Sequence, residues 1–225
     1  LTMPTAGNAG GALAAYAAKG NLESIVFMPR DAPESNMKET LALGSKLSLV
    51  DGMIGDAGKA SQEKANKEGL FDLSTLREPY RAEGKKTMAI ELARDMGWTT
   101  PDVIVYPTGG GTGIVGMWKA FQELQELGWV DGPQPKFVSV QAEGCQPLVT
   151  AFTAGKEQAA PYPKASTVAH GLRVPAVFAD YIVLKILRET GGTALAVTDQ
   201  DMINAMKEIG AAEGVMACPE GAATL

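Results

Sequence analysis

A chain of 225 residues, 45% of them hydrophobic, can bury a substantial core and has room for one α/β domain or two smaller ones. A net charge of −6 and a pI near 4.9 argue against a nucleic-acid partner, and no apolar run reaches the length of a membrane span. The two cysteines, Cys145 and Cys218, lack metal-ligand spacing and the single histidine, His170, completes neither a metal cluster nor a serine-type triad, so no metal is expected. No basic start followed by an apolar core suggests a signal peptide, and the chain reads as cytoplasmic.

Strand-like and helix-like segments alternate throughout, the pattern of parallel sheets with crossover helices. The strand-like residues 1–3 run into a turn, and an alanine-rich helix follows over 7–19, opening at Asn8 and closing at Gly20. Residues 24–28 form a short strand. Ser35 or Asn36 can cap a helix reaching Leu43, Gly44 can end it, and 46–50 returns as a strand. A third helix over 55–68 and a strand over 69–73 complete this half. The loop 74–84 carries Arg77, Glu78, Pro79, Tyr80 and Arg81 and leads to an amphipathic helix over 85–96, ended by Gly97. A domain boundary belongs here, giving a small α/β domain over 1–76 and a larger one over 77–225.

Beyond it come a strand over 103–106, a helix over 114–127, a strand over 136–141 and a Gly/Pro-rich connection holding His170. A helix over 178–190 and a strand over 195–197 follow, and Thr198 with Asp201 resembles a capping box for a helix reaching Glu213. The sequence opens on Leu1 inside a strand-like segment and closes inside a helix-like one over 219–225, as a piece of a longer protein would.

The run Val103-Ile-Val-Tyr-Pro-Thr-Gly-Gly-Gly-Thr-Gly-Ile-Val-Gly116 carries the most chemistry. Its β-branched start reads as a parallel strand covered on both faces, and its glycines let the backbone approach an anion closely. The unpaired N–H groups at the start of the next helix, with the helix dipole, favour negative charge there. This is a phosphate cradle. Gly111, Gly113 and Gly116 also satisfy the dinucleotide fingerprint, which would make the chain an NAD-dependent oxidoreductase. Glu143, the acid that reading needs, lies 27 positions beyond Gly116, against about 20 for a ribose-binding acid. The three glycines from Gly109 to Gly111 with Thr112 suit a single terminal phosphate better. A second turn, Pro4-Thr-Ala-Gly-Asn-Ala-Gly10, again opens a helix and can hold a carboxylate; Asn8 could equally be a plain helix cap.

The two turns together resemble the fold type II pyridoxal-phosphate enzymes, the tryptophan-synthase-β-like superfamily. Within it the chain is most similar to the threonine synthases, through Tyr80-Arg-Ala-Glu-Gly-Lys-Lys-Thr87, Gln141-Ala-Glu-Gly-Cys-Gln-Pro147, and Ala196-Val-Thr-Asp199 leading to Ala212-Glu-Gly214 and Pro219. The resemblance implies two domains, each a mostly parallel sheet flanked by helices, and pyridoxal 5'-phosphate as cofactor. It puts the cofactor phosphate on Gly109, Gly110, Gly111 and Thr112, with Gly113 beside them, and the cofactor's phenolic oxygen on Asn8. It puts the substrate carboxylate on Thr5, Ala6 and Gly7 and a substrate phosphate on Arg81, whose other reading is a surface ion pair with Glu78 or Glu83.

The resemblance places the lysine that anchors the cofactor upstream of the asparagine loop, so no catalytic residue is expected in this sequence, and Lys85 and Lys86 read as a solvated helical turn. Ala6 stands where a Ser or Thr is usual, Gly113 where some members have Asn, and Cys218 where a carboxylate is frequent. The segment from His170 to Pro175 also departs from the family pattern. The implied activity is conversion of O-phosphohomoserine and water to threonine and phosphate by a homodimer, with a serine/threonine dehydratase or β-replacement enzyme as the alternative. Without that lysine, residues 1–225 by themselves are expected to be inactive.

Overall fold

The computed structural model describes Leu1–Leu225, which divide into two compact units, Leu1–Glu78 and Pro79–Leu225. No helix is long and apolar enough to cross a membrane.

In the first unit, β1 (Thr2–Pro4), β2 (Ile25–Pro29) and β3 (Lys46–Val50) form a three-stranded parallel sheet in that order. Helices α1 (Ala9–Lys19), α2 (Glu34–Ala42) and α3 (Ile54–Glu68) connect and follow the strands. The central strand is the most apolar, Ile-Val-Phe-Met-Pro, because neighbours on both sides and helices over the sheet leave it almost no water. Met3, Leu13, Ala17, Val26 and Met28 form the core.

Two expectations fail in this unit. Helix α2 begins at Glu34 after Pro33, so Ser35 and Asn36 lie inside it; Pro33 has no N–H to satisfy and its ring pre-sets the entry. Asn36 is used elsewhere, donating from Nδ2 to the Ala6 carbonyl at 3.3 Å. The strand expected over 69–73 shrinks to a single parallel bridge, Thr2 to Asp72. It stops there because Asp72 Oδ1 accepts from both the amide and the hydroxyl of Ser74, at 3.0 and 2.6 Å, turning the chain away from the sheet.

The second unit repeats the plan. Strands β4 (Val103–Pro107), β5 (Lys136–Ala142) and β6 (Thr193–Val197) are parallel and ordered β4-β5-β6. Around them lie α4 (Tyr80–Asp95), α5 (Thr112–Glu126), α6 (Pro147–Thr153), α7 (Asp180–Glu189), α8 (Asp199–Glu213) and the short α9 (Pro219–Ala222), with a 3₁₀ turn over His170–Leu172. Phe121 and Met117 of α5, Phe137 of β5, Leu148 of α6 and Leu184 and Leu187 of α7 fill the main core. A smaller cluster of Val140, Leu172 and Met202 closes the other face toward the carboxyl end of the sheet.

Strand β4 is not covered on both faces: Val103 and Val105 are 46% and 44% exposed, whereas Ile104 between them is buried. It stands at the end of the strand order, so its run of β-branched residues reflects β-propensity as much as burial. Helix α4 starts at Tyr80 rather than Lys85. Ala82, Ala89 and Ala93 form its buried stripe, and that packing extends the helix through Gly84 despite the cost of a glycine. Gly116 of α5 makes the close crossing possible, since a Cβ there would stand 2.8 Å from the Ala82 carbonyl and 2.6 Å from the Lys85 Cβ. Glu83 pairs with Lys119 and Lys86, and these ammonium groups hold its carboxyl below the usual range. Lys86 is therefore not the solvated side chain expected; it is 13% exposed and also reaches Glu123 at 2.7 Å.

Helix α6 lies in the stretch read as a Gly/Pro-rich connection. Pro147 is its first residue, a position where proline costs nothing. The capping box of α8 is as expected: Thr198 Oγ1 accepts from the Asp201 amide at 3.0 Å, and Asp201 Oδ2 accepts from the Thr198 amide at 3.3 Å.

Candidate functional site

In each unit the candidate loop leaves the carboxyl end of the terminal strand and opens the following helix. In the first unit, Pro4 ends β1 and pairs with Phe27, and the next residue, Thr5, donates its amide to the Phe27 carbonyl at 2.9 Å. In the second unit, Pro107 ends β4 and pairs with Val140, and Thr108 donates its amide to the Val140 carbonyl at 2.8 Å. The loops are then equal in length, Thr5-Ala-Gly-Asn8 before α1 and Thr108-Gly-Gly-Gly111 before α5.

The first loop closes partly on itself. The Thr5 hydroxyl accepts from the Gly7 amide at 3.1 Å, and Gly10 donates back to the Gly7 carbonyl at 3.4 Å. The hydroxyl expected for a substrate carboxylate thus already has a partner inside the turn. The amide of Ala6 makes no hydrogen bond within the chain, and Gly7 has open space where a Cβ would stand. Asn8 occupies the N-cap position with helical dihedrals, φ −63° and ψ −14°, and its side chain makes no capping bond. The plain-cap reading of Asn8 therefore finds no support here, and its exposed carboxamide remains available to a ligand.

The second loop keeps its donors. Val115 is the first residue of α5 whose amide finds a carbonyl, that of Gly111 at 3.1 Å, while the amides from Gly109 to Ile114 find no acceptor in the chain. Gly111, Thr112, Gly113 and Ile114 are buried. Buried backbone donors are almost always paired, so a run of unpaired ones at the start of a fifteen-residue helix makes this turn a candidate anion site.

The glycines are required by close packing. Gly111 has φ +84°, where an L-residue is strained, and a Cβ there would meet Val183 Cγ2 at 2.5 Å. A Cβ at Gly109 would overlap the Gly171 carbonyl oxygen, and one at Gly113 would overlap the Tyr106 hydroxyl. Val183, Gly171 and Tyr106 are thus the residues that press the loop into shape, and none of them stood out in the sequence. Burial pushes the Tyr106 phenol up.

Arg81 lies on the first turn of α4, partly buried, and Glu83, one of its expected partners, is engaged by Lys86 and Lys119. A surface concavity of about 480 Å³ is lined by Asp102, Val103, Gln134, Lys136 and Glu189 at the opposite, amino end of the β4-β5-β6 sheet. Ligands of open parallel sheets bind outside the carboxyl ends of the strands, and the unpaired amides lie at that end, so the glycine loop is the better candidate.

The family described as "Pyridoxal-phosphate dependent enzyme" matches residues 1–225. The chain is 32% identical over 226 residues to the threonine synthase of Methanosarcina acetivorans, a match covering 100% of this chain and 55% of that protein. It is 30% identical over 220 residues to the threonine synthase of Methanocaldococcus jannaschii, covering 97% and 54%. The chain thus spans about half the length of these curated relatives. Among solved structures, maize serine racemase superposes with a TM-score of 0.84 at 22% identity, covering 100% of this chain and 65% of that one, which shows a shared fold.

Proposed function

The chain belongs to the pyridoxal-phosphate dependent enzyme family, whose cofactor is pyridoxal phosphate, and from that premise we propose that the full-length protein is a threonine synthase acting on O-phosphohomoserine and water to give threonine and inorganic phosphate. The observation that carries the reading is the run of unpaired amides from Gly109 to Ile114, buried from Gly111 onward, which suits an anion such as a phosphate. The family membership and that phosphate geometry leave the nicotinamide reading without support.

When bound, pyridoxal phosphate withdraws electrons from the substrate and so stabilises a carbanion; orientation and electrostatics are the protein's part. Gly109, Gly110, Gly111 and Thr112 would hold the cofactor phosphate through their N–H groups, and Gly113 lets Tyr106 pack beside them. Asn8 would offer its Nδ2 to the cofactor's phenolic oxygen. The Ala6 amide would take the substrate carboxylate, in a turn that the Gly7 amide and the Thr5 hydroxyl close by their own hydrogen bond. Arg81 offers a guanidinium, the group best matched to a phosphate that must be held and then released. The same reading makes the full-length protein a cytoplasmic homodimer acting on a small phosphorylated amino acid.

The test is phosphate release. Full-length protein supplied with pyridoxal phosphate is expected to liberate phosphate and threonine from O-phosphohomoserine, and failure to do so overturns the assignment. Keto-acid formation from serine or threonine, with no reaction of the phosphorylated substrate, would establish the dehydratase instead.

A further inference from the structure

Gln141 is a polar residue near the end of β5, fully buried at 0% exposure, and both the oxygen and the nitrogen of its carboxamide are hydrogen-bonded. Its Oε1 accepts from the amides of Leu148 and Val149 in the first turn of α6, at 2.9 and 3.3 Å. Its Nε2 donates to the Thr108 carbonyl at 3.2 Å. The orientation of the amide is not ambiguous: turned over, it would aim its NH₂ at two N–H donors and its oxygen at a carbonyl.

The Thr108 carbonyl and the Gly109 N–H belong to one peptide unit. That unit is planar and trans, so the two bonds point in opposite directions. Pulling the carbonyl inward toward Gln141 therefore turns the Gly109 N–H outward, as the first donor of the unpaired run. The Thr108 amide is fixed at the same time to Val140, the residue before Gln141, so both sides of Thr108 are tied to β5. Without the Nε2 donor the Thr108 carbonyl loses its hydrogen bond, and the peptide between Thr108 and Gly109 can tilt within the space its packing leaves, glycine on its far side resisting least.

We propose that Gln141 is a positioning residue for cofactor-phosphate recognition: by clamping the Thr108 carbonyl it aims the Gly109 N–H at the phosphate. The inference rests on the reading of the glycine loop as the phosphate site. Its signature is selective. A residue that merely stabilised the fold would weaken every ligand alike, whereas one that aims a phosphate donor affects only ligands that carry the phosphate.

The experiment compares equilibrium binding of pyridoxal phosphate and of pyridoxal, which lacks the phosphate, to full-length wild type and to Gln141→Met. The thioether keeps nearly the same length but brings no donor to the Thr108 carbonyl, whereas a buried glutamate would take up a proton and could donate as the glutamine does. The preference for pyridoxal phosphate over pyridoxal is expected to fall about tenfold, the effect of one well-placed hydrogen bond, with pyridoxal affinity unchanged. Gln141→Leu serves if the methionine prevents folding, and the same selective loss is expected. An unchanged preference, or equal weakening of both ligands, overturns the proposal. Gly111→Ala separates the two levels. If wild type prefers the phosphorylated ligand and Gly111→Ala loses that preference while the Gln141 variants keep it, only the role of Gln141 fails; if wild type shows no preference, the loop reading falls and the role of Gln141 with it.

Discussion

The loops after β1 and β4 share a plan and differ in stiffness. Each follows a proline-ended terminal strand, starts with a threonine whose amide bonds to the neighbouring strand, and reaches its helix after the same number of residues. Each also has one carbonyl held by a side-chain amide, Ala6 by the half-buried Asn36 at 3.3 Å and Thr108 by the fully buried Gln141 at 3.2 Å. Beyond that they diverge. The first spends its Gly7 and Gly10 amides on internal bonds and leaves space around Gly7, while the second leaves its amides unpaired and is jammed against Gly171, Val183 and Tyr106. A loop held from every side suits a ligand that stays put, and one with local bonds and open space suits a ligand that comes and goes.

The sharpest way to break this comparison is to add a single methyl group to each loop. Gly111→Ala places a Cβ against Val183 at positive φ, and the combined strain and overpacking should cost about 2–4 kcal/mol. Gly7→Ala meets nothing within 4 Å and should stay within about 0.5 kcal/mol of wild type, although its methyl enters the space proposed for substrate. Denaturant unfolding of the two variants measures both. Equal costs would mean that the loops are equally constrained and that the difference in packing has no energetic content.

Much of this architecture was legible in the sequence, and the failures share a cause. Strand β3 and the capping box of α8 are local: an apolar run bounded by Gly44, and a threonine three residues before an aspartate. The start of α4 was misplaced because Pro79 and Gly84 are local breakers, and only the packing of Ala82 against Gly116, far along the chain, overrides them. Helix α6 was missed because Pro147 signals a loop as readily as a first helical turn, and its other cap comes from Gln141 on a strand. In the glycine loop, the run itself was plain to read, but the reasons for Gly109 and Gly113 lie at Gly171 and Tyr106, contacts that no spacing encodes. Gln141 did leave a mark, as a polar residue between Val140 and Ala142 in the buried half of its strand, and a buried polar side chain calls for partners.

The smaller effects concern what a residue at a helix start is for. Thr198 and Asn8 both stand at N-cap positions and both belong to residue types that favour them. Thr198 has extended dihedrals, φ −76° and ψ 156°, and its hydroxyl reaches the Asp201 amide; Asn8 has helical dihedrals and caps nothing. Thr198→Ala should therefore lower stability by about 1 kcal/mol, the usual cost of a lost cap. Asn8→Ala should change it by less than about 0.5 kcal/mol, since an exposed side chain without a bond has little to lose. Thermal or denaturant unfolding of the full-length protein carrying each change separates a residue kept for the helix from one kept for a ligand. If Asn8→Ala destabilised as much as Thr198→Ala, the asparagine would be a cap after all and its role at the cofactor oxygen would lose its physical basis. If it left stability intact while cofactor binding or turnover fell, the softer loop would be shown to hold its asparagine for chemistry alone.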